Sequence, residues 1–442
     1  MSINKNIYYS FLTQIPTIIL SFFTGVFSTR ILGPEGSGIY TVFLSDTELF
    51  TLLLSFSFNA GIIFFISNKK IATEKLIGLG LVFIGMGTLI LLITLTGAKY
   101  FNTLNFLFPK NYASPMHLLY LLLLFINSTG TGFLSAIFQG KSHFNIVNKV
   151  SIFNAVLNFL LFSLALLLKS TLHKIVYVNE VLIISGFITT LNLAVWLYFY
   201  FKLIGVKPKF NFIWAIDVKP LFYIVIFAHL AHVINFFNYR LDVYVVDYYC
   251  GQAQLGFYAK AVNVAQMLWL ISNPISNVLF PYLNDPDRPD HTKTFTFFSR
   301  VNFTAVFAGI VFLFFIAPYF FPFLFGEAFS SSVLAFKLLL PGILACAATK
   351  IFGVYASSRN KIHYNIIATL VGLAFTIILD FTLIPQMGIK GAAIASCCSY
   401  VFTLITLLIG LFIFLKLEIK NYFFLTLSDC KEIMRLLTKK NN

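Results

Sequence analysis

The chain has 442 residues, 59% hydrophobic and only 11% charged, whereas a soluble domain carries about 25% charged residues, so a water-soluble globule is excluded. Five cysteines without a C-x-x-C pair (Cys250, Cys346, Cys397, Cys398, Cys430) support neither a disulfide framework nor a zinc site. The formal charge of +15 would suggest nucleic acid in a soluble protein, but in an apolar chain it has to be read loop by loop.

Twelve apolar runs predict twelve membrane spans, at 7–29, 38–67, 76–97, 116–138, 146–168, 181–201, 221–246, 256–283, 296–321, 332–356, 363–384 and 391–415. The first follows a short start and lacks a small-residue cleavage site, so it reads as a retained span. It carries Ser10, Gln14, Thr17, Ser21, Thr24 and Ser28 at alternating spacings of 4 and 3, a single helical stripe about 27 Å long, close to the depth of the hydrocarbon core. Such a stripe either packs against another helix or walls a wet lumen. Pro16 sits within this span, Pro274 in the eighth and Pro341 in the tenth, each a candidate bending point.

Asp46 and Glu48 follow in the second span and, with Asp242 and Asp247 of the seventh, are candidates for ion coupling. The third span holds Gly78, Gly80, Gly85 and Gly87; no strand precedes them and no lysine follows, so close helix packing accounts for them better than a nucleotide loop. The seventh span is the most polar. Shifting the first-span stripe by 218 lands on Ala228, His232, Asn235, Tyr239, Asp242 and Val246. His229, Arg240 and Asp247 add ionisable groups, and Arg240 lies about 200° round the helix from Asp242. A charge at the bilayer midplane costs at least about 2.5–3.5 kcal/mol, so charges retained there point to function or to buried ion pairing. Lys260, Lys337, Lys350 and Asp380 lie in later spans. Arg30, Arg240, Lys260 and Lys337 are suited to a phosphate or pyrophosphate, while Arg30 and Asp380, close to span ends, are free to snorkel.

The short loop Asp285-Pro286-Asp287 with Asp290 and His291 reads as a solvated turn, and no metal site, cofactor site, P-loop, H-E-x-x-H or G-x-S-x-G is found. With the N-terminus inside, most of the 31 cations fall in inner loops and the two ends. The outer loops hold Arg30, Lys99, Lys110, Lys169, Lys174 and Lys390. The positive-inside rule then puts both termini in the cytoplasm, with residues 416–442 as a basic cytoplasmic tail and the loop charges at lipid headgroups, not nucleic acid.

The chain reads as duplicated. Gly33-x4-Gly38-x-Tyr40 recurs as Gly251-x4-Gly256-x-Tyr258; Phe106-Leu107-Phe108 recurs as Phe323-Leu324-Phe325; His143-Phe144-Asn145-Ile146 recurs as His363-Tyr364-Asn365-Ile366. Offsets of 218, 217 and 220 give two parallel six-span halves, 1–205 and 206–415, and hence an all-α polytopic membrane protein with transporter geometry.

At Thr29-Arg30-Ile31-Leu32-Gly33-Pro34-Glu35-Gly36-Ser37-Gly38-Ile39-Tyr40 the sequence resembles the Wzx-type polysaccharide-lipid flippases of the multidrug/oligosaccharidyl-lipid/polysaccharide (MOP) exporter superfamily, as does the second-half echo Arg240-x-Asp242 followed by Gly251, Gly256, Tyr258 and Ala261. The resemblance implies a two-lobed bundle in the bacterial inner membrane, carrying an undecaprenyl-pyrophosphate-linked sugar repeat unit to the outer leaflet. It places Arg30 and the polar first span in the N-lobe wall, and Arg240 and Asp242 in the C-lobe wall. Coupling to protons or sodium, and polymerase and chain-length partners of a surface-polysaccharide pathway, follow from the same likeness. A cation-coupled multidrug exporter of the same superfamily is the nearest alternative. A membrane polysaccharide polymerase is disfavoured by the short outer loops.

Overall fold

The computed structural model describes residues 3–68, 71–101, 103, 114–171, 177–210, 219–285, 291–415, 419–429 and 431; side chains are described from residue 16 onward within these ranges, except 219–224, 414–415 and 419–420. The twelve apolar runs become thirteen helices: α1 (Ile3–Ser55), α2 (Phe58–Ser67), α3 (Thr73–Tyr100), α4 (Pro115–Gly140), α5 (Phe144–Thr171), α6 (Val178–Leu203), α7 (Lys219–Cys250), α8 (Gln252–Gln266), α9 (Trp269–Asn284), α10 (His291–Phe325), α11 (Ser332–Ser358), α12 (Ile362–Met387) and α13 (Ile389–Leu415). No strand occurs among the described residues. A helix satisfies its own peptide groups where lipid offers no partner, which is why apolar runs of this length settle as helices.

Nine helical stretches among the described residues are long and apolar enough to cross a membrane. The difference from twelve has local causes. The first two spans are merged as α1, α8 and α9 divide the eighth into pieces of 15 and 16 residues, and the side chains at the apolar start of α7, 219–224, lie outside the described residues.

The chain divides into two compact units, Met1–Phe236 and Phe237–Asn442, with the boundary inside α7. In the first unit Ile62, Phe65, Leu76, Ile137, Phe138 and Trp196 pack one core between α2, α3, α4 and α6, and Phe43, Leu91, Leu121 and Phe125 pack another between α1, α3 and α4. In the second unit Phe295, Ile351, Phe352, Leu407 and Tyr422 form the corresponding centre. Two of the third-span glycines do serve close packing: a Cβ on Gly80 would lie 1.9 Å from the Phe133 ring and one on Gly87 3.1 Å from Phe125, whereas Gly85 faces open space.

The repeat is written in the backbone as well as in the sequence. α1 breaks at Gly33 (φ 67°, ψ −171°), and the α7–α8 junction turns at Gly251 (φ 79°, ψ 172°), a region open essentially to glycine alone. At the first break Lys169 Nζ donates to the carbonyls of Arg30 (3.0 Å) and Ile31 (2.6 Å). The turns before α5 and α12 also match. Ser142 and Asn360 are both left-handed, and the next amide in each donates five residues back, His143 N to Phe138 O and Lys361 N to Ala356 O, both at 2.9 Å.

Other breaks were not anticipated. Phe56 and Ser57, between α1 and α2, both have positive φ without being glycine. In the eighth span the interruption falls at Met267–Leu268, where bonds run three residues back (Met267 N to Val264 O, Leu268 N to Ala265 O, both 3.2 Å). Pro274 itself lies inside α9. Pro16 and Pro341 interrupt no assigned helix.

The described part of the C-terminal segment docks on α10. Ser299 Oγ donates to Tyr422 O (2.9 Å), Arg300 Nε donates to Asn421 O (2.6 Å), and the Arg300 guanidinium pairs with Asp429 at 3.0 Å. Burial pushes the Asp429 carboxyl up, but the Thr426 hydroxyl and amide, then Arg300, outweigh this and hold it below the ordinary carboxylate value. A depressed pKa stabilises the docked form above the ordinary range, and that contribution is lost only as pH falls through the lower, folded value. Asp429→Asn at neutral pH, or acidification below about pH 4 for the unaltered chain, is therefore expected to raise amide exchange several-fold in the peptide 421–429. Unchanged exchange in the variant would show that the contacts of residues 421 and 422 with α10 hold the segment without the Asp429 carboxylate.

Candidate functional site

Helical spacing lays residues four apart on one face, and three helices of the second unit use it together. On α7 the pair is Asn238 and Asp242; on α12 it is Thr376 and Asp380; on α13 Ser399 and Ser396 lie one turn apart. In one layer Asn238 Oδ1 accepts from Thr376 Oγ1 (2.9 Å) and Ser399 Oγ (3.1 Å), with 2.7 Å between the two hydroxyls. In the next, Asp242 Oδ1 accepts from Val243 N (2.8 Å), and Oδ2 accepts from Tyr258 Oη (2.5 Å) and Ser396 Oγ (3.3 Å). Gly372 lets α13 approach: a Cβ there would meet Thr403 Oγ1 at 2.1 Å.

Asp380 completes the second layer. It is 0% exposed, neither carboxyl oxygen has a hydrogen-bond partner, and it interacts electrostatically with Asp242. Of the two readings left open for Asp380, snorkelling does not hold: the side chain is fully buried and α12 runs on to Met387, nearly two turns beyond it. Arg240 is half-buried and, despite lying across the helix from Asp242, contributes a favourable electrostatic interaction with it. Two carboxyls, an amide oxygen and four hydroxyls in a low-dielectric interior make an acceptor-rich cluster, able to take up a proton or a small hard cation. Among the described residues no group of three or more His, Cys, Asp or Glu could hold a metal ion.

The remaining sequence-predicted residues are more dispersed. Asp247 is half-buried, with one carboxyl oxygen lacking a hydrogen bond. Asp46 is buried and Glu48 exposed, both in the first unit. Lys260 is 9% exposed and has no ion pair or hydrogen bond among the described residues. Lys337 stands 4.4 Å from the ring centre of Phe314 on α10, so it does not join the carboxyl layer.

On the first-span stripe, the side chains of Ser10 and Gln14 lie outside the described residues. Ser21 is exposed and Thr17 half-buried, whereas Thr24 and Ser28 donate to their own helix, to Leu20 O (2.8 Å) and Gly25 O (3.0 Å). Arg30 is exposed. On the part of α7 within the first unit, His232 Nδ1 lies 2.9 Å from Ser57 Oγ and His229 stacks on Phe56 at 4.7 Å, so both engage the left-handed break in the second span. Asn235 donates to Ala231 O (2.9 Å) on its own helix.

Asn238, Thr376, Ser396 and Ser399 were not anticipated as site residues. The i, i+4 pairs Asn238/Asp242 and Thr376/Asp380 were visible in the sequence, but not the faces on which their helices meet.

The family model described as "Polysaccharide biosynthesis protein" matches residues 3–285. The chain belongs to that family. No curated protein matches the sequence. Among solved structures the fold is similar to the lipid II flippase MurJ in an inward closed conformation, with TM-score 0.71, 16% identity and coverage of 94% of this chain and 89% of that one. It is also similar to an inward-facing MATE-family multidrug resistance transporter (TM-score 0.65, 13% identity, 89% and 93% covered) and to a Vibrio cholerae MATE transporter (0.62, 13%, 92% and 97%). This member of the polysaccharide biosynthesis family is thus an all-α, multi-pass membrane protein with the fold of MOP-superfamily flippases and transporters.

Proposed function

We propose that the protein flips undecaprenyl-pyrophosphate-linked oligosaccharide repeat units from the cytoplasmic to the outer leaflet of the bacterial inner membrane, by alternating access, for O-antigen, capsule or exopolysaccharide synthesis. The observation that carries this reading is the family match. Lys260 supports it: a buried ammonium without a counter-charge among the described residues is suited to a charge-assisted bond with a diphosphate. The Asp242/Asp380 layer is the proposed coupling site, at which uptake and release of a proton or sodium ion bias the conformational equilibrium. Both termini would lie in the cytoplasm, and polymerase and chain-length proteins of the pathway would act on the delivered units.

The same carboxyl layer, with the MATE-like fold, favours a cation-coupled drug exporter as the second reading. Proteoliposomes separate the two. Fluorescent lipid-diphosphate oligosaccharide on the inner face is expected to become accessible to an impermeant quencher outside in a protein-dependent way, and a cationic dye is not expected to be expelled. Dye export with a stationary lipid would overturn the flippase reading.

A further inference from the structure

The second unit contains a cavity of about 290 Å³ between α9, α11, α12 and α13, lined by Phe280, Thr349, Lys350, Ser357, Asn365 and Leu407 among others. None of these belongs to the carboxyl layer. Lys350 Nζ donates to Asn273 Oδ1 at 2.7 Å and stands 4.2 Å from the centre of the Trp269 ring. Both partners are neutral, no carboxylate among the described residues pairs with this ammonium, and no acidic residue lines the cavity. A cation at membrane depth, stabilised only by an amide dipole and a ring face, lacks its counter-charge. Two of its three N–H groups remain to donate.

The polar groups on the wall can be sorted by what they have left to offer. Ser357 Oγ accepts from Asn365 Nδ2 (3.0 Å), so its own O–H can donate inward. Thr349 and Thr369 donate to the carbonyls of Ala345 (2.9 Å) and Asn365 (2.8 Å), so they present only lone pairs. Asn365 Oδ1 is an acceptor without a partner, and the rest of the lining, Phe280, Gly353, Val354, Ala368 and Leu407, offers no polar side chain. The complementary ligand therefore has an anionic acceptor for Lys350 and Ser357, hydroxyls for the two threonines, and carbon chain for the remainder.

Depth and size narrow the class. Lys350 lies eight residues, about 12 Å, before α11 ends at Ser358, and Asn365 is in the first turn of α12. The turn between them carries Arg359 and Lys361, which the charge bias assigns to the cytoplasmic face. Small-ligand pockets begin near 300 Å³, so this space takes a phosphate with a small head and the first carbons of a chain, not an oligosaccharide. We propose that this cavity is a binding site for a phosphate-bearing amphiphile of the cytoplasmic leaflet, with Lys350 and Ser357 as the donors to the phosphate. The site is separate from the transport reading and does not depend on it.

The test uses the purified full chain in neutral detergent, with short-chain phosphatidylglycerol, inorganic phosphate and uncharged short-chain diacylglycerol as probes, and the thermal unfolding midpoint as readout. Phosphatidylglycerol is expected to raise the midpoint saturably, because a ligand that binds only the folded state stabilises it. Lys350→Gln should weaken its apparent Kd by at least about tenfold, Ser357→Ala by less, and Lys350→Arg should keep most of the affinity. An equal, Lys350-dependent shift with inorganic phosphate would uphold the phosphate site and assign it a soluble ligand. A shift shared by diacylglycerol, a shift indifferent to Lys350→Gln, or no shift with either phosphate probe would overturn the proposal. Should Lys350→Gln fail to fold, Ser357→Ala and the wild-type comparison of charged with uncharged lipid decide it.

Discussion

Asp380→Asn is expected to make the protein more stable and to abolish gradient-driven transport. Asp380 is fully buried, and neither carboxyl oxygen has a hydrogen-bond partner. Leaving a buried polar group unsatisfied costs on the order of 1–3 kcal/mol, and more when it is charged. An amide of the same shape still needs partners, but it removes the electrostatic interaction with Asp242. The thermal midpoint should therefore rise by a few degrees. The same change deletes one of the two carboxyls on which ion coupling is proposed to rest, so transport in a proton or sodium gradient should fall to the level of protein-free vesicles. Opposite signs for stability and activity are expected where a site holds unfavourable interactions for function. A variant with unchanged stability and an intact response to the gradient would show that Asp380 plays neither part. Asp242→Asn should lose transport as well but gain no stability, because Tyr258, Ser396 and Val243 already satisfy that carboxylate.

Lys260→Gln is expected to raise the KM for diphosphate-linked cargo by roughly ten- to a hundredfold, the equivalent of one charge-assisted hydrogen bond of about 1.5–3 kcal/mol. The substitution keeps the stem length near that of lysine and removes a buried charge with no ion pair among the described residues, so the fold should tolerate it. The outcome also discriminates between cargoes. Removing a cation weakens binding of a diphosphate and, if anything, strengthens binding of a cationic drug. Concentration series of lipid-linked oligosaccharide in proteoliposomes supply the KM, and an unchanged value would remove Lys260 from the cargo site.

Much of this architecture could be read from the residues. Apolar runs locate helices because lipid leaves the peptide group no other solution. Gly33 and Gly251 betray their breaks because the backbone there suits glycine alone, and the His143 and His363 echoes mark turns that close in the same way. The left-handed pair Phe56–Ser57 escaped notice because neither residue type signals positive φ. It is seen beside contacts from His229 and His232, which lie more than 170 residues away in sequence.

The carboxyl layer was half legible. A charge inside an apolar run is conspicuous, so Asp242 stood out. Asn238, Thr376, Ser396 and Ser399 did not, because serine, threonine and asparagine are common in membrane helices and only the meeting of three particular faces makes these four a group. Asp380 was misplaced for a simpler reason: hydropathy ended its span near Ile384, whereas the helix continues to Met387.

The register of 218 that sets Tyr40 against Tyr258 also sets Thr24 against Asp242. Tyr40 meets Ser185 on α6 at 2.9 Å, and Tyr258 meets both Asp242 and Ser396 on α13. Thr24, by contrast, closes on its own helix through Leu20 O. The two halves thus hold a neutral hydroxyl and an acid at matching positions of the repeat. On the function proposed above, the coupling duty would fall on the acidic half alone, and its sibling would carry no such constraint.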